Sequence, residues 1–181
     1  MKNIIILFIF TLFSIAALSA QEINWVSMND AIKLQKKNPK KIMMDVYTNW
    51  CGPCKMLDKN TFQNPDVAKY VNENFYAVKF NAEGEGEIYY KGQLFKNPQY
   101  DPALSGRNAQ HEFASALQIT AYPTIVFFDE EANTIIPLKG YQSPSQLEIY
   151  LKLFQADDHK NITSQEQWEK YQQDFKPEFK G

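Results

Sequence analysis

Two cysteines stand three positions apart in Trp50-Cys51-Gly52-Pro53-Cys54-Lys55, and the 181 residues hold no others. That spacing serves either a redox dithiol or half of a zinc site. A structural zinc site takes four protein ligands, and only His111 and His159 are left, in unrelated contexts. No metal is expected. A purely structural disulfide is a poor alternative, because closing so small a loop removes little entropy from the unfolded chain. Dithiol–disulfide exchange fits best. An apolar strand before Cys51 and a helix after it would put Cys51 at a helix N-terminus. Free backbone N–H groups and the helix dipole stabilise a thiolate there. Cys51 is then the attacking and more exposed sulfur. Cys54, one turn further and more buried, resolves the mixed disulfide. Pro53 suits a first turn that needs no backbone donor. Asp45 is the one acid inside the apolar run Lys41–Tyr47. Ionisation there is costly, so its pKa should rise. It would either exchange a proton with Cys54 or be satisfied by a cation such as Lys79 with no kinetic role.

The elements that must hold these groups follow from periodicity. Ile23–Val26 reads as a short strand and Ser27–Lys37 as a helix with Met28, Ala31, Ile32 and Leu34 on one face. Asn38-Pro39 stops it. Lys41–Tyr47 is a buried strand. A helix runs from Cys51 to about Lys59, breaks over Thr61–Pro65 and resumes to Asn72. Phe75–Asn81 alternates as a strand, and Asn108–Leu117 reads as a helix that carries His111 on its surface. Thr124–Phe128 and Thr134–Ile136 are strands around an acidic turn. Pro144–Phe154 is a helix with Leu147, Tyr150, Leu151 and Phe154 inward. Strands and helices alternate, then a hairpin and a helix follow. This is an α/β order, a central mixed sheet flanked by helices.

Three stretches stand outside that order. Met1-Lys2-Asn3, an apolar run from Ile4 and small residues to Ala20 have the layout of a secretory signal, residues 1–20. The alternative is an uncleaved anchor at the short end of what spans a bilayer. The domain, 21–155, should therefore work in the periplasm or outside the cell, where disulfides persist. An insertion at about 83–110 carries Tyr89, Tyr90, Phe95 and Tyr100. It forms either a substrate wall or a self-packed surface loop. Residues 156–181 read as a polar linker, Ala156–Thr163, with His159 in it, then an amphipathic helix, Thr163–Phe175. Thr163 and Glu166 have capping-box spacing, and Trp168, Tyr171 and Phe175 share one face.

Composition narrows the partners. Apolar residues make up 44 % and charged ones 22 %, which is globular. Lys plus Arg is 19 against 21 acids, the net charge is −2, and Arg107 is the only arginine. A nucleic-acid backbone needs a basic face that favours Arg forks, so no nucleic acid is expected.

The WCGPCK string resembles the active site of thioredoxins in full. Asp45, six residues before Cys51, matches the buried acid of that family, and Lys79 matches the lysine that pairs with it. Tyr122-Pro123-Thr124 matches the segment with the family's substrate-binding cis-proline, and Gly140 the glycine before the last helix. The resemblance covers about Ile23–Phe154, interrupted by the insertion. It implies a thioredoxin fold with an insertion before the cis-proline strand and an extra C-terminal helix. It also implies protein-disulfide reduction at Cys51 and Cys54 with Asp45 and Lys79 in support. Trp50, Gly52, Pro53, Tyr122 and Pro123 would meet the substrate, no cofactor would be used, and the chain would act as a monomer. Trp50 either shields the disulfide or packs in the core, and Lys55 is a solvated helix residue. Lys55–Phe75, with Thr61-Phe62, Pro65-Asp66-Val67 and Asn74-Phe75, resembles the C-terminal domain of the periplasmic electron transporter DsbD. This branch implies a membrane-embedded thiol electron donor. Disulfide oxidation, isomerisation and a non-catalytic binding role are the competing readings.

Overall fold

Strand β2 (Lys41–Tyr47) is the spine of a computed structural model that describes residues 22–180. The expected export segment, 1–20, lies outside the described residues. β2 pairs in parallel with β3 (Phe75–Asn81) and antiparallel with β6 (Thr124–Phe128). β1 (Trp25–Val26) joins β3 in parallel and β7 (Thr134–Lys139) joins β6 antiparallel. The order β1-β3-β2-β6-β7 is a mixed sheet. Alternate side chains of a strand point to opposite faces. In β2, Met43 joins one apolar cluster, while Ile42, Met44 and Val46 join the other.

On the first face lie α2 (Gly52–Leu57), α3 (Pro65–Asn74) and α5 (Pro144–Gln155), with Leu57, Val67, Val71, Leu147 and Leu151 inward. On the second lie α1 (Met28–Gln35) and the short α4 (Glu112–Ala116). This is the thioredoxin fold that the resemblance implies.

The insertion contributes a hairpin, β4 (Ile88–Tyr90) and β5 (Gln93–Phe95). Phe113 of α4 is fully buried, with the rings of Phe80, Tyr90 and Phe95 within 5.2–5.5 Å. A large side chain fully buried contributes about 1.5–3 kcal/mol. The hairpin half of the insertion therefore packs on the domain, with Tyr89 left exposed.

Several sequence expectations need correction. Leu34 is exposed and Gln35 buried, because in this short helix positions 28, 31 and 35 share the inner face. Gln35 is satisfied there by the carbonyls of Lys40 and Asp129. The helix after Cys51 does not break at Thr61. It continues as a π-helical turn, Asp58–Phe62, whose Thr61 hydroxyl donates to the Gln142 carbonyl, and Asn64-Pro65 then starts α3. The helix expected from Asn108 starts only at Glu112, because Asn108 and Ala109 are tied into the insertion by hydrogen bonds.

His111 is not on a surface but fully buried. Its Nδ1 accepts from the Phe113 N–H at 3.0 Å, so the ring proton sits on Nε2 and donates to the Gly86 carbonyl at 2.6 Å. It caps α4 and fastens the insertion.

Beyond α5, the stretch read as a linker holds a 3₁₀ turn, Asp158–Asn161, and Asp157 pairs with the buried Lys41. His159 packs edge-on against Phe154. The last helix, α6 (Gln165–Asp174), is capped by Ser164 rather than Thr163, one residue later than the expected box. Trp168 and Tyr171 lie against the first-face cluster. The following tail folds back on α5, where the buried Glu148 carboxylate accepts from the N–H groups of Glu178 and Phe179.

Candidate active site

Cys51 is the N-cap of α2, with Gly52 and Pro53 opening the first turn. The geometry follows from the strand-to-helix junction: β2 ends at Tyr47, Thr48–Trp50 turn, and the helix begins. Cys51 and Cys54 are joined by a disulfide, with their Cα atoms 5.3 Å apart. The Cys54 N–H donates to Cys51 Sγ at 3.1 Å. On reduction, that N–H and the positive end of the short helix favour negative charge on Cys51. In this oxidised form the expected contrast in exposure is absent. Cys51 is 2 % exposed and Cys54 6 %. Gly52 and Pro53, between the two cysteines, are the exposed residues of the motif's turn.

Tyr122 and Pro123 come to the same place. Their peptide bond is cis, and the Tyr122 ring meets Trp50 edge-on at 6.0 Å between centroids. Pro123 is buried, and its carbonyl accepts from the Gly140 N–H. Gly140 has φ +88°, a conformation that glycine adopts freely. The Trp50 indole is 37 % exposed, so it is a surface group beside the disulfide and not a core one.

Behind the cysteines, Asp45 is 2 % exposed. Asp45 and Cys54 line one cavity of 220 Å³ together with Thr48, Lys55, Asp58 and Lys79. Burial pushes the Asp45 pKa up to about 7, the nearby Asp58 carboxylate adds to the rise, and Lys79 opposes it. β2–β3 pairing sets Lys79 opposite Asp45. Their ion pair is long, 3.7 Å, because Lys79 makes its close pair with Asp58 and lies over the rings of Trp25 and Tyr47. One Asp45 oxygen, Oδ1, has no hydrogen-bond partner. An acid so placed takes up and releases a proton near neutral pH.

The structure thus brings together every residue singled out from the sequence: Trp50, Cys51, Gly52, Pro53 and Cys54 on the junction, Tyr122 and Pro123 beside it, Asp45 and Lys79 beneath. It adds residues that sequence reasoning missed. Asp58 lies four positions after Cys54, one helical turn, and that spacing was its only signal. Glu83, Arg107 and Asn108 of the insertion surround Trp50. Glu83 Oε2 accepts from Trp50 Nε1 at 2.8 Å and from the Asn108 N–H at 2.9 Å. Gln110 donates to the Tyr122 hydroxyl. Their sequence positions carry no periodic signal.

Residues 28–155 match the family of the Thioredoxin-like domain. The chain belongs to that family. This thioredoxin-like chain is 26 % identical over 133 residues to the thiol:disulfide interchange protein DsbD of Pectobacterium atrosepticum. The match covers 72 % of the chain but only 19 % of that relative. It spans about a fifth or less of the curated relatives it matches. Among solved structures, a thioredoxin-fold protein from Helicobacter pylori superposes with a TM-score of 0.54 at 20 % identity, over 71 % of this chain and 77 % of that one. A candidate disulphide-isomerase from Bacteroides thetaiotaomicron gives 0.51 at 27 % identity, over 74 % and 93 %. A thioredoxin-like protein with a cysteine pair at the head of α2 has the equipment of a thiol–disulfide oxidoreductase.

Proposed function

We propose that the protein reduces disulfides of other proteins outside the cytoplasm, and that a membrane-embedded thiol protein re-reduces it. The observation that carries this reading is the Cys51–Cys54 disulfide at the head of α2, with the Tyr122-Pro123 segment beside it and Asp45 behind it. In the reduced protein, Cys51 thiolate attacks one sulfur of the substrate disulfide. The substrate S–S bond breaks, and its other sulfur leaves as a thiolate that takes a proton. Asp45 carboxylate accepts the Cys54 proton, and Cys54 then attacks Cys51 Sγ. The second substrate thiolate leaves and the protein disulfide re-forms. Two electrons pass to the substrate, and nothing beyond the two sulfurs is needed to carry them.

Lys79 acts by setting the charge around Asp45. Trp50, Gly52, Pro53, Tyr122 and Pro123 form the surface that receives the substrate chain. The export layout of residues 1–20 and the likeness to DsbD support the location and the donor. The chain acts as a monomer in this reading.

Direction rests on potential. Thioredoxin lies at about −270 mV, protein disulfide isomerase at about −180 mV and DsbA at about −120 mV. Equilibration with glutathione should place this protein well below DsbA and nearer thioredoxin. A value near −120 mV, with efficient oxidation of reduced substrates, would make it an oxidase. The likeness to the Bacteroides thetaiotaomicron protein favours isomerisation as the second reading. An intermediate potential, together with rescue of scrambled substrates, would select it. A Cys54→Ser variant should accumulate mixed disulfides through Cys51 in extracts, which identifies the substrates.

A further inference from the structure

Arg107 is the only arginine of the chain, and the fold spends it beside the disulfide. Its guanidinium carbon lies 4.2 Å from the centroid of the Trp50 ring, the residue before Cys51. A guanidinium over an indole face is held by cation–π attraction and keeps its in-plane N–H donors free for other partners. Arg107 is exposed. Among the described residues it makes no ion pair within 4 Å.

Two contacts fix the platform under it, and a third holds one of them in place. Trp50 Nε1 donates to Glu83, the same Glu83 oxygen accepts from the Asn108 N–H, and Tyr122 meets the indole edge-on. The backbone beside Arg107 is therefore tied to the indole that its side chain covers. Asn108 also closes the loop on Asp101, accepting from its N–H and donating to its carbonyl. At the base, the His111 N–H donates to the Ala82 carbonyl. Glu83 Oε2 is turned toward Trp50 Nε1 and the Asn108 N–H rather than toward the guanidinium, with which Glu83 makes no ion pair. Lys55 in α2 and Lys139, paired with Thr124 just after Pro123, are exposed cations at this end of the sheet. Such an arrangement meets an anion better than a cation.

We propose that Arg107, displayed on Trp50, is a specificity-determining residue of the exchange site and receives a carboxylate carried by the substrate polypeptide next to its disulfide. This rests on the thiol–disulfide exchange reading. The second half of the insertion is then a recognition wall, while the hairpin half is packing. The step itself is unchanged: two electrons and two protons pass from the protein dithiol to the peptide disulfide, which leaves as two thiols.

The test uses the reduced protein and three peptide disulfides that differ only in a residue beside the cysteine, Glu, Gln or Lys. Uncharged hydroxyethyl disulfide serves as a control on the unaltered protein. The expected result is a kcat/KM for the Glu peptide about three- to fivefold above that for the Gln peptide, the range of an exposed charge pair. The ratio should shrink as salt is added. Arg107→Ala should bring it most of the way to one, leaving only the weaker pull of the neighbouring lysines, and Arg107→Glu should invert the order in favour of the Lys peptide. Equal rates for the three peptides with the unaltered protein, or an undiminished ratio in Arg107→Ala, would overturn the proposal. Failure to turn over hydroxyethyl disulfide as well as the peptides would instead sink the exchange reading and this proposal with it.

Discussion

Asp45 and Glu148 are both buried carboxylates on the first face of the sheet, and their surroundings differ in kind. Glu148 is 0 % exposed. Lys152 lies 2.8 Å from its Oε1, and the backbone N–H groups of Glu178 and Phe179 donate to it at 2.9 Å. Asp45 has a lysine at 3.7 Å that is held more closely by another acid, and one bare oxygen. A buried charge is tolerated when hydrogen bonds replace water and is costly when they do not. Glu148 therefore fastens the tail to the domain. Asp45 is left undersupplied, which is what the proton-transfer role proposed for it requires. Burial alone does not tell a structural acid from a chemical one. The count of donors does.

Removing either acid should separate them most sharply. Glu148→Ala leaves Lys152 without its buried partner and two N–H groups without acceptors, so it should destabilise the fold by about 3–5 kcal/mol. Denaturant unfolding measures the loss, and hydrogen exchange at residues 175–180 should show the tail released. An unchanged midpoint would mean that Glu148 is no anchor.

Asp45→Asn should act in the opposite direction. The folded pKa of about 7 lies above the unfolded value near 3.8. The native state thus binds more protons between these values, and stability falls as pH rises from about 4 to about 7. At pH 8 the variant should be more stable by about 2–4 kcal/mol, with the advantage gone below pH 4. Its disulfide exchange at neutral pH should be slower. Equal rates would leave Asp45 a structural residue.

Asp58→Asn should have the smallest effect. It removes a repelling carboxylate and frees Lys79 to approach Asp45, so the Asp45 pKa should fall by about one unit. Titration of the Asp45 carboxyl by NMR would show it, and a rise would reverse the role given to Asp58.

Apolar patterning made β2, β3 and β6 readable in the sequence: β2 and β6 are buried on both faces and carry near-continuous apolar runs, while β3 alternates. The redox pair and Asp45 were readable because their spacing along the chain is also their spacing across one junction; the Tyr122-Pro123 segment was readable only through the resemblance to thioredoxins. Long-range hydrogen bonds were not. Glu83 reaches Trp50 across 33 positions, and Gln35 reaches Asp129 across 94. A polar residue looks the same in sequence whether water or a distant carbonyl satisfies it, which is why His111 reads as a surface residue and Gln35 does not stand out as an inner one. The π-helical turn escaped for a similar reason. The extra residue is held by the Thr61–Gln142 contact, not by any local preference.

Asp45 sits on a strand with hydrogen-bonded neighbours on both sides. Amides in such a strand exchange with solvent only when the whole domain opens, whereas short helices and surface loops open on their own. The six-residue α2 belongs to the second class by length and the Arg107 segment by exposure. The chemistry thus spans two timescales. In the proposed cycle the segments that would meet substrate can rearrange, while the strand that carries the acid stays closed, so the backbone position of Asp45 is set by the sheet.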